Sequence, residues 1–236
     1  MRTKTLLLAA VLSAAGVASS LAQVYSVNVV GYINLTLKPG LNLLTAQLKG
    51  TNQNVNTILG STSPALPANS LLYTWNATGQ RFDNALIAGG DNKWYDPATG
   101  LESTATISPG QSFFINNLGT VDSTLTLVGE VPTGATVVSV VNGLGFYGDP
   151  APVSQNIVTN GFPVGDNDLL YTWNTAAQTY NNALIGGGPA SGGPGWFDPA
   201  TGLLTVFAPA VGQGFIVNHL SGATTGNTWN RNFIIQ

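Results

Sequence analysis

The chain repeats itself, and that repeat limits what it can fold into more than any other feature. Leu71-Leu72-Tyr73-Thr74-Trp75-Asn76 recurs unchanged as Leu169-Leu170-Tyr171-Thr172-Trp173-Asn174, an offset of 98 residues. The same offset carries Phe82-Asp83-Asn84-Ala85-Leu86-Ile87 onto Tyr180-Asn181-Asn182-Ala183-Leu184-Ile185. Four residues then enter the second copy between Pro189 and Gly195, and the offset becomes 102. Beyond them Trp94-Tyr95-Asp96-Pro97-Ala98-Thr99-Gly100-Leu101 meets Trp196-Phe197-Asp198-Pro199-Ala200-Thr201-Gly202-Leu203, and Phe113-Phe114-Ile115-Asn116 meets Phe215-Ile216-Val217-Asn218. Collinear matches over this length read as an internal duplication, so one fold must be completed twice, in roughly a hundred residues each.

The repeated unit reads as strand. Leu71 to Trp75 and Leu169 to Trp173 are apolar and aromatic runs of strand length. Asn76-Ala77-Thr78-Gly79 supplies a turn and Phe82 begins a return strand, which predicts a hairpin. Asp96-Pro97-Ala98-Thr99-Gly100 predicts a tight turn closed by glycine. Ser112 to Asn116 is a strand whose Phe113-Phe114-Ile115 run predicts burial on both faces. Val55, Ile58 and Leu59 behind Thr51 and Asn52 predict a turn or two of helix, with a counterpart at 154–159.

Between Gln23 and Leu37 there is no charge. Tyr25, Val27, Val29, Ile33, Leu35 and Leu37 fall on one face of a strand and Ser26, Asn28, Asn34 and Thr36 on the other, with Gly31 expected as a bulge. Val30-Gly31 has a counterpart at Val128-Gly129, and Thr228 to Ile235 resembles the same strand again. Ser123 to Val131 is therefore expected to close the first module and open the second. The expected fold class is all-β, two tandem sandwich-like modules: 23–123 for the first and 124–236 for the second.

Residues 1–22 read as a secretory signal peptide. Arg2 and Lys4 precede an apolar stretch from Thr5 to Ala18, and Ser20-Leu21-Ala22 suits cleavage before Gln23. The expected location is outside a bacterial cell or at its surface, with no membrane span in the mature chain. Cysteine is absent, so no disulfide staples the fold. Charged residues make up 7% of the chain, against about 25% in an average soluble domain. Without Arg2 and Lys4, five basic residues face ten acidic ones, a net charge of −5. No basic patch exists to bind nucleic acid, and little charge opposes self-association.

Candidate sites are few. His219 is the sole histidine, read as a loop residue at a strand end without the partners a triad needs. Asp96 and Asp198 repeat, each in a turn its own side chain caps. Asp91, Asn92 and Asp96, and Asp166, Asn167 and Asp168, put hard oxygen ligands on loops, but their spacing matches no calcium loop. No catalytic residue, cofactor site or metal site is expected, nor an enzyme. The repeated aromatics, Trp75 with Trp173, Trp94 with Trp196 and Tyr73 with Tyr171, are either sheet packing or exposed platforms for sugar rings.

Val24-Tyr25-Ser26-Val27-Asn28-Val29-Val30-Gly31-Tyr32, the Pro39-Gly40-Leu41-Asn42-Leu43 step and Pro109-Gly110-Gln111-Ser112-Phe113-Phe114-Ile115 resemble an uncharacterised family of secreted bacterial β-module proteins. The second module departs from that pattern at Gly143-Leu144-Gly145-Phe146 and at Val211. The resemblance implies export and a β-rich fold, and no catalytic residues. The expected function is a secreted structural protein of the bacterial envelope or extracellular matrix. It would self-associate, into filaments if its terminal strands add to one another. The alternative is a carbohydrate-binding or adhesion module that meets a polysaccharide through the repeated aromatics.

Overall fold

The computed structural model describes residues 29–187, 193–220 and 228–235; the expected signal peptide, its expected cleavage site and Tyr25 to Asn28 lie outside them. The first half contains β1 (Val30–Leu37), β2 (Gly40–Thr45), α1 (Val55–Ile58), β3 (Ser61–Ser63), β4 (Leu71–Asn76), β5 (Arg81–Phe82), β6 (Leu86–Ala88), β7 (Trp94–Tyr95), β8 (Ser112–Asn117) and β9 (Ser123–Glu130). The second contains β10 (Gly134–Ser139), β11 (Gly143–Tyr147), β12 (Leu169–Tyr171), β13 (Trp173–Asn174), β14 (Thr179–Tyr180), β15 (Leu184–Gly187), β16 (Gly195–Phe197), β17 (Leu204–Thr205), β18 (Phe215–His219) and β19 (Thr228–Phe233). The protein is all-β, as its alternating apolar pattern predicts.

Strand order repeats as the sequence does. The larger sheet of the first half runs β2-β8-β4-β6-β7, and that of the second runs β11-β18-β12-β15-β16-β17. Each half adds a smaller sheet, β1-β9-β3 or β10-β19. In the first half Ile33, Leu37, Leu125 and Leu127 of the small sheet meet Leu44, Leu72, Phe113 and Ile115 of the large one in one buried cluster. In the second half Trp229 of β19 meets Tyr147, Leu170, Trp196, Phe215 and Val217. Two facing sheets around an apolar layer make each half a sandwich. Without disulfides, these layers and the ladders hold it.

Several local expectations need correction. The strand 123–130 is not shared between modules: β9 pairs along its length with β1, and over three residues with β3. Both partners belong to the first half, so the break falls at 131–133, and β10 opens the second half by pairing with β19. Gly31 is no bulge, because the β1–β9 register is unbroken from Val30–Glu130 to Leu37–Ser123. A side chain at Gly31 would press on Leu48 and Val131. The helix is a single turn capped by Asn54, whose Oδ1 accepts from the Asn56 N–H at 2.8 Å. Its counterpart forms turns, although Asn156 Oδ1 accepts from the Val158 N–H at 3.0 Å in the same way.

The last strand is tied in by a buried ion pair. Arg231 of β19 donates from Nε to Asp149 at 3.1 Å and from Nη2 to Gln155 Oε1 at 2.8 Å. Burial pushes the Asp149 carboxyl above its ordinary range, against the Ala151 N–H and the guanidinium, which favour its charged form. Removing one partner strands the other charge in the core. Arg231→Ala is therefore expected to lower unfolding free energy by roughly 3–5 kcal/mol, read by urea denaturation.

Candidate functional site

The repeated aromatics do not lie on the open surface. Trp94 and Trp196 are 5% and 0% exposed, each inside the core of its own half. Tyr73, Trp75, Tyr171 and Trp173 pack instead around Leu43, Phe114, Phe146 and Ile216, a third apolar cluster drawn from both halves. The outer faces of the two large sheets meet there. This explains Phe113-Phe114-Ile115: Phe113 and Ile115 enter the first core, and Phe114 enters the seam.

The seam is reciprocal. Trp75 Nε1 donates to the Leu144 carbonyl at 2.9 Å, and Trp173 Nε1 donates to the Leu41 carbonyl at 2.8 Å. Leu41 and Leu144 occupy matching positions in β2 and β11. Gln178 clasps the same residue, accepting from the Leu41 N–H at 2.7 Å and donating to its carbonyl at 3.1 Å. Gln80 repeats this on Leu144 at 2.8 and 3.0 Å. Gly40 and Gly143 have positive φ, and a Cβ on either would strike the clasping glutamine. The inner edges are stitched as well: Thr45 N–H donates to the Gly212 carbonyl and Gly148 N–H to the Gly110 carbonyl, both at 3.0 Å. Each contact has a mate with the halves exchanged, the mark of an approximate twofold axis.

Trp75 and Trp173 are thus half-buried in the seam between the halves, each with its indole N–H engaged. Trp75 does border an open groove with Gln111, Val138 and Tyr147. Its face, however, stacks on Phe146 at 4.9 Å, and its N–H is engaged.

His219 is not a loop residue but the buried last residue of β18. Its Nδ1 lies 2.6 Å from Asp168 Oδ2, 51 positions away, a partner that local sequence context does not reveal. Asp168 also accepts from the N–H groups of Gly165 at 2.7 Å and Leu220 at 3.0 Å. Burial works to raise the Asp168 carboxyl, but His219 and these N–H groups together hold it below its ordinary range. The side chains of His219 and Asp168 are 1% and 0% exposed, and His219 Nε2 has no hydrogen-bond partner among the described residues. The pair ties the end of β18 to the residue that precedes β12. The first half places Ser70 and Asn117 at these positions, and Ser70 Oγ accepts from Leu118 N–H at 3.3 Å.

The oxygen-rich loops are engaged locally. Asp91 accepts from the Tyr95 hydroxyl at 2.7 Å, which holds its carboxyl low, and from the Lys93 N–H at 3.1 Å. Asn92 Oδ1 accepts from the N–H and hydroxyl of Thr62, both at 2.8 Å. Asp96 and Asp198 each accept from the N–H two residues on at 2.8 Å, the turn capping read from the sequence. Among the described residues no three acidic or histidine side chains converge as a metal site would need.

The remaining candidates are sheet edges. Among the described strands, β1 ends the β1-β9-β3 sheet and pairs only with β9, and β19 pairs only with β10. In the first half β3 covers the far edge of β9. In the second, residues 162–165 form no strand, so the equivalent edge of β19 has no ladder. β1 carries no charge, and Val30 and Tyr32 are 58% and 70% exposed. β19 carries one charge, Arg231, turned inward to Asp149, and exposed Ile234 and Ile235 follow it.

The chain matches no protein-family model, no curated protein and no solved structure.

Two outcomes are expected. Trp75→Ala and Trp173→Ala should each cost about 2–4 kcal/mol in urea denaturation, agreeing within about 1 kcal/mol because their surroundings mirror each other. The depressed Asp168 gives stability that is present above its unfolded pKa and lost as pH falls through its lower folded value. Acid titration of unfolding should thus show a limb below about pH 4 that Asp168→Asn flattens.

Proposed function

We propose that this is an exported structural protein of the bacterial surface or matrix that joins to copies of itself through its terminal strands. The observation that carries this is that, among the described strands, β1 and β19 each keep one unpaired edge, with no charge on β1 and the one charge of β19, Arg231, turned inward. Natural sheets guard an edge with lysine, proline, a bulge or a covering loop, because unpaired N–H and C=O groups template another strand. The register of β1 has no bulge, and Arg231 of β19 turns inward, so neither strand sets a charge or a bulge along its unpaired edge.

The two edges suit one another. Strand addition between β1 of one copy and β19 of the next yields a continuous sheet ordered β3-β9-β1-β19-β10. The contact is head-to-tail, so it need not close and its natural product is a filament. Export is supported by the apolar N-terminal stretch behind Arg2 and Lys4, and by the resemblance to secreted β-module proteins. The groups catalysis would draw on, His219 and Asp168, are buried and paired, which supports a non-enzymatic role.

Electron microscopy and light scattering of residues 23–236 test this, with Tyr32→Lys/Thr36→Lys as the blocked form. Both positions are exposed, so stability should change by less than about 0.5 kcal/mol each. The unaltered chain is expected to form filaments, and the two lysines to cut particle mass at least about tenfold. A monodisperse monomer from the unaltered chain, or filaments indifferent to the lysines, would overturn the proposal.

A further inference from the structure

The two copies treat one edge of the large sheet differently. In the first half, Glu102 bridges Tyr95 of β7, and Lys93 pairs with Glu102, both charged groups about half exposed. The ion pair guards the end of that sheet. In the second half, glycine stands at the Lys93 position (Gly195) and leucine at the Glu102 position (Leu204). Thr104 becomes Val206, and Ser108 becomes Ala210. Each change removes charge or polarity.

The result is an open strand edge with an apolar row. β17 ends its six-stranded sheet, and its ladder partner is β16. Leu204, Val206, Ala208 and Ala210 are all exposed, while Thr205 and Phe207 are half-buried and Pro209 is buried; the strand itself is Leu204–Thr205, and beyond it the Phe207 carbonyl accepts from the Ile157 N–H at 3.1 Å and the Ala208 carbonyl from the Ser154 hydroxyl at 3.4 Å. Leu204 and Val206 are 64% and 70% exposed. From Pro199 to Asn218 the chain has no charged residue. Leu101 in the first half is as exposed as Leu203, at 68%, so one bare leucine does not set the copies apart. The missing ion pair does.

We infer that the β17 edge, Leu204–Thr205 with the exposed Val206 beside it, pairs with the β17 edge of a second copy, antiparallel about a twofold axis. The occupant must offer backbone donors and acceptors together with an uncharged apolar row. A charged partner would set its charge against a row that has none to answer it. The same edge of another copy meets both needs and carries the same neutral character. It continues the antiparallel ladder from one six-stranded sheet into the next. A twofold contact closes on itself, so it adds a lateral link distinct from the end-to-end contact of the terminal strands.

Sedimentation of the full chain carrying Tyr32→Lys/Thr36→Lys tests this with the end-to-end contact blocked. A concentration-dependent dimer is expected. Gly195→Lys/Leu204→Glu rebuilds the ion pair of the first half and should weaken that dimer at least about tenfold. Val206→Thr, the residue of the first half, should weaken it less. Unchanged circular dichroism and melting show that the fold is kept. Val206→Cys, in a chain without other cysteines, should form an interchain disulfide on oxidation. A monomer in the blocked background, or a dimer indifferent to Gly195→Lys/Leu204→Glu, would overturn this inference. Filaments formed by the unaltered chain would leave the terminal-strand reading standing either way.

Discussion

Trp75 and Trp173 each reach across the middle of the molecule to the carbonyl of a leucine on the opposite half, and the arrangement of everything else depends on that exchange. Two sandwiches of this size bury limited apolar surface, and with no disulfide each is marginal alone. The seam adds a third apolar layer, with Phe114 and Phe146 in edge-to-face contact at 6.1 Å and each against a tryptophan. It also stitches two edges: β2 meets Gly212 and Gln213, and β11 meets Gly110 and Gln111. A duplicated chain thereby gains within one molecule the self-complementary contact that symmetric dimers make between two.

That solution decides which edges stay open. β2 and β11 face inward and are closed by the seam, whereas β1, β19 and β17 face outward. A chain with 7% charged residues has few guards to place. It uses some of them elsewhere: Lys93 and Glu102 on the first large sheet, Lys38 and Asp122 across a surface contact, Arg231 and Asp149 inside a core. The low charge and the open outer edges are two aspects of one composition, and both favour chain-to-chain contact.

Much of this architecture was legible in the residues. The exact recurrence of Leu-Leu-Tyr-Thr-Trp-Asn reports a repeated strand, and the Asp-Pro-Ala-Thr-Gly turns close as their chemistry dictates, with Gly100 and Gly202 accepting the positive φ. The double-sided burial of Phe113-Phe114-Ile115 was readable too, but not that its second side faces the other copy. An aromatic run reads the same against a core, a seam or a sugar. For that reason the sequence left Trp75 and Trp173 open between sheet packing and sugar platforms, and Gln80 and Gln178, ordinary turn residues by sequence, gave no sign that they clasp a strand some 64 to 137 positions away. His219 was misplaced for the same reason, since Asp168 is 51 residues distant and nothing local announces it. The boundary at 123/124 failed because Val128-Gly129 resembles Val30-Gly31, so β9 reads as the opening strand of a second module, whereas it pairs with β1 inside the first half.

The distribution of differences between the copies follows from what each position must do. The reciprocal hydrogen bonds of the seam keep their mates, Trp75 and Trp173, Gln80 and Gln178, Leu41 and Leu144, whereas its packing residues do not: Phe114 answers to Ile216, Leu43 to Phe146, and Gln47, which bonds to Asp149, Ala151 and Gly212, to Pro150. Inside a single half the copies have been free to drift, so Ser70 and Asn117 stand where the second half has Asp168 and His219, with Ser70 Oγ accepting from the Leu118 N–H and Asp168 Oδ1 from the Leu220 N–H. A core requires only that polar groups be paired and volume filled. The outer edge at Lys93 and Glu102 is constrained by neither seam nor core. There the second copy has gone from an ion pair to Gly195 and Leu204, a side chain on Gly195 now being excluded by Leu204 itself. Drift alone would scatter polar and apolar changes along such a strand. Here Glu102, Thr104, Thr106 and Ser108 answer to the exposed Leu204, Val206, Ala208 and Ala210, all changes toward the apolar, as the inferred lateral contact would favour.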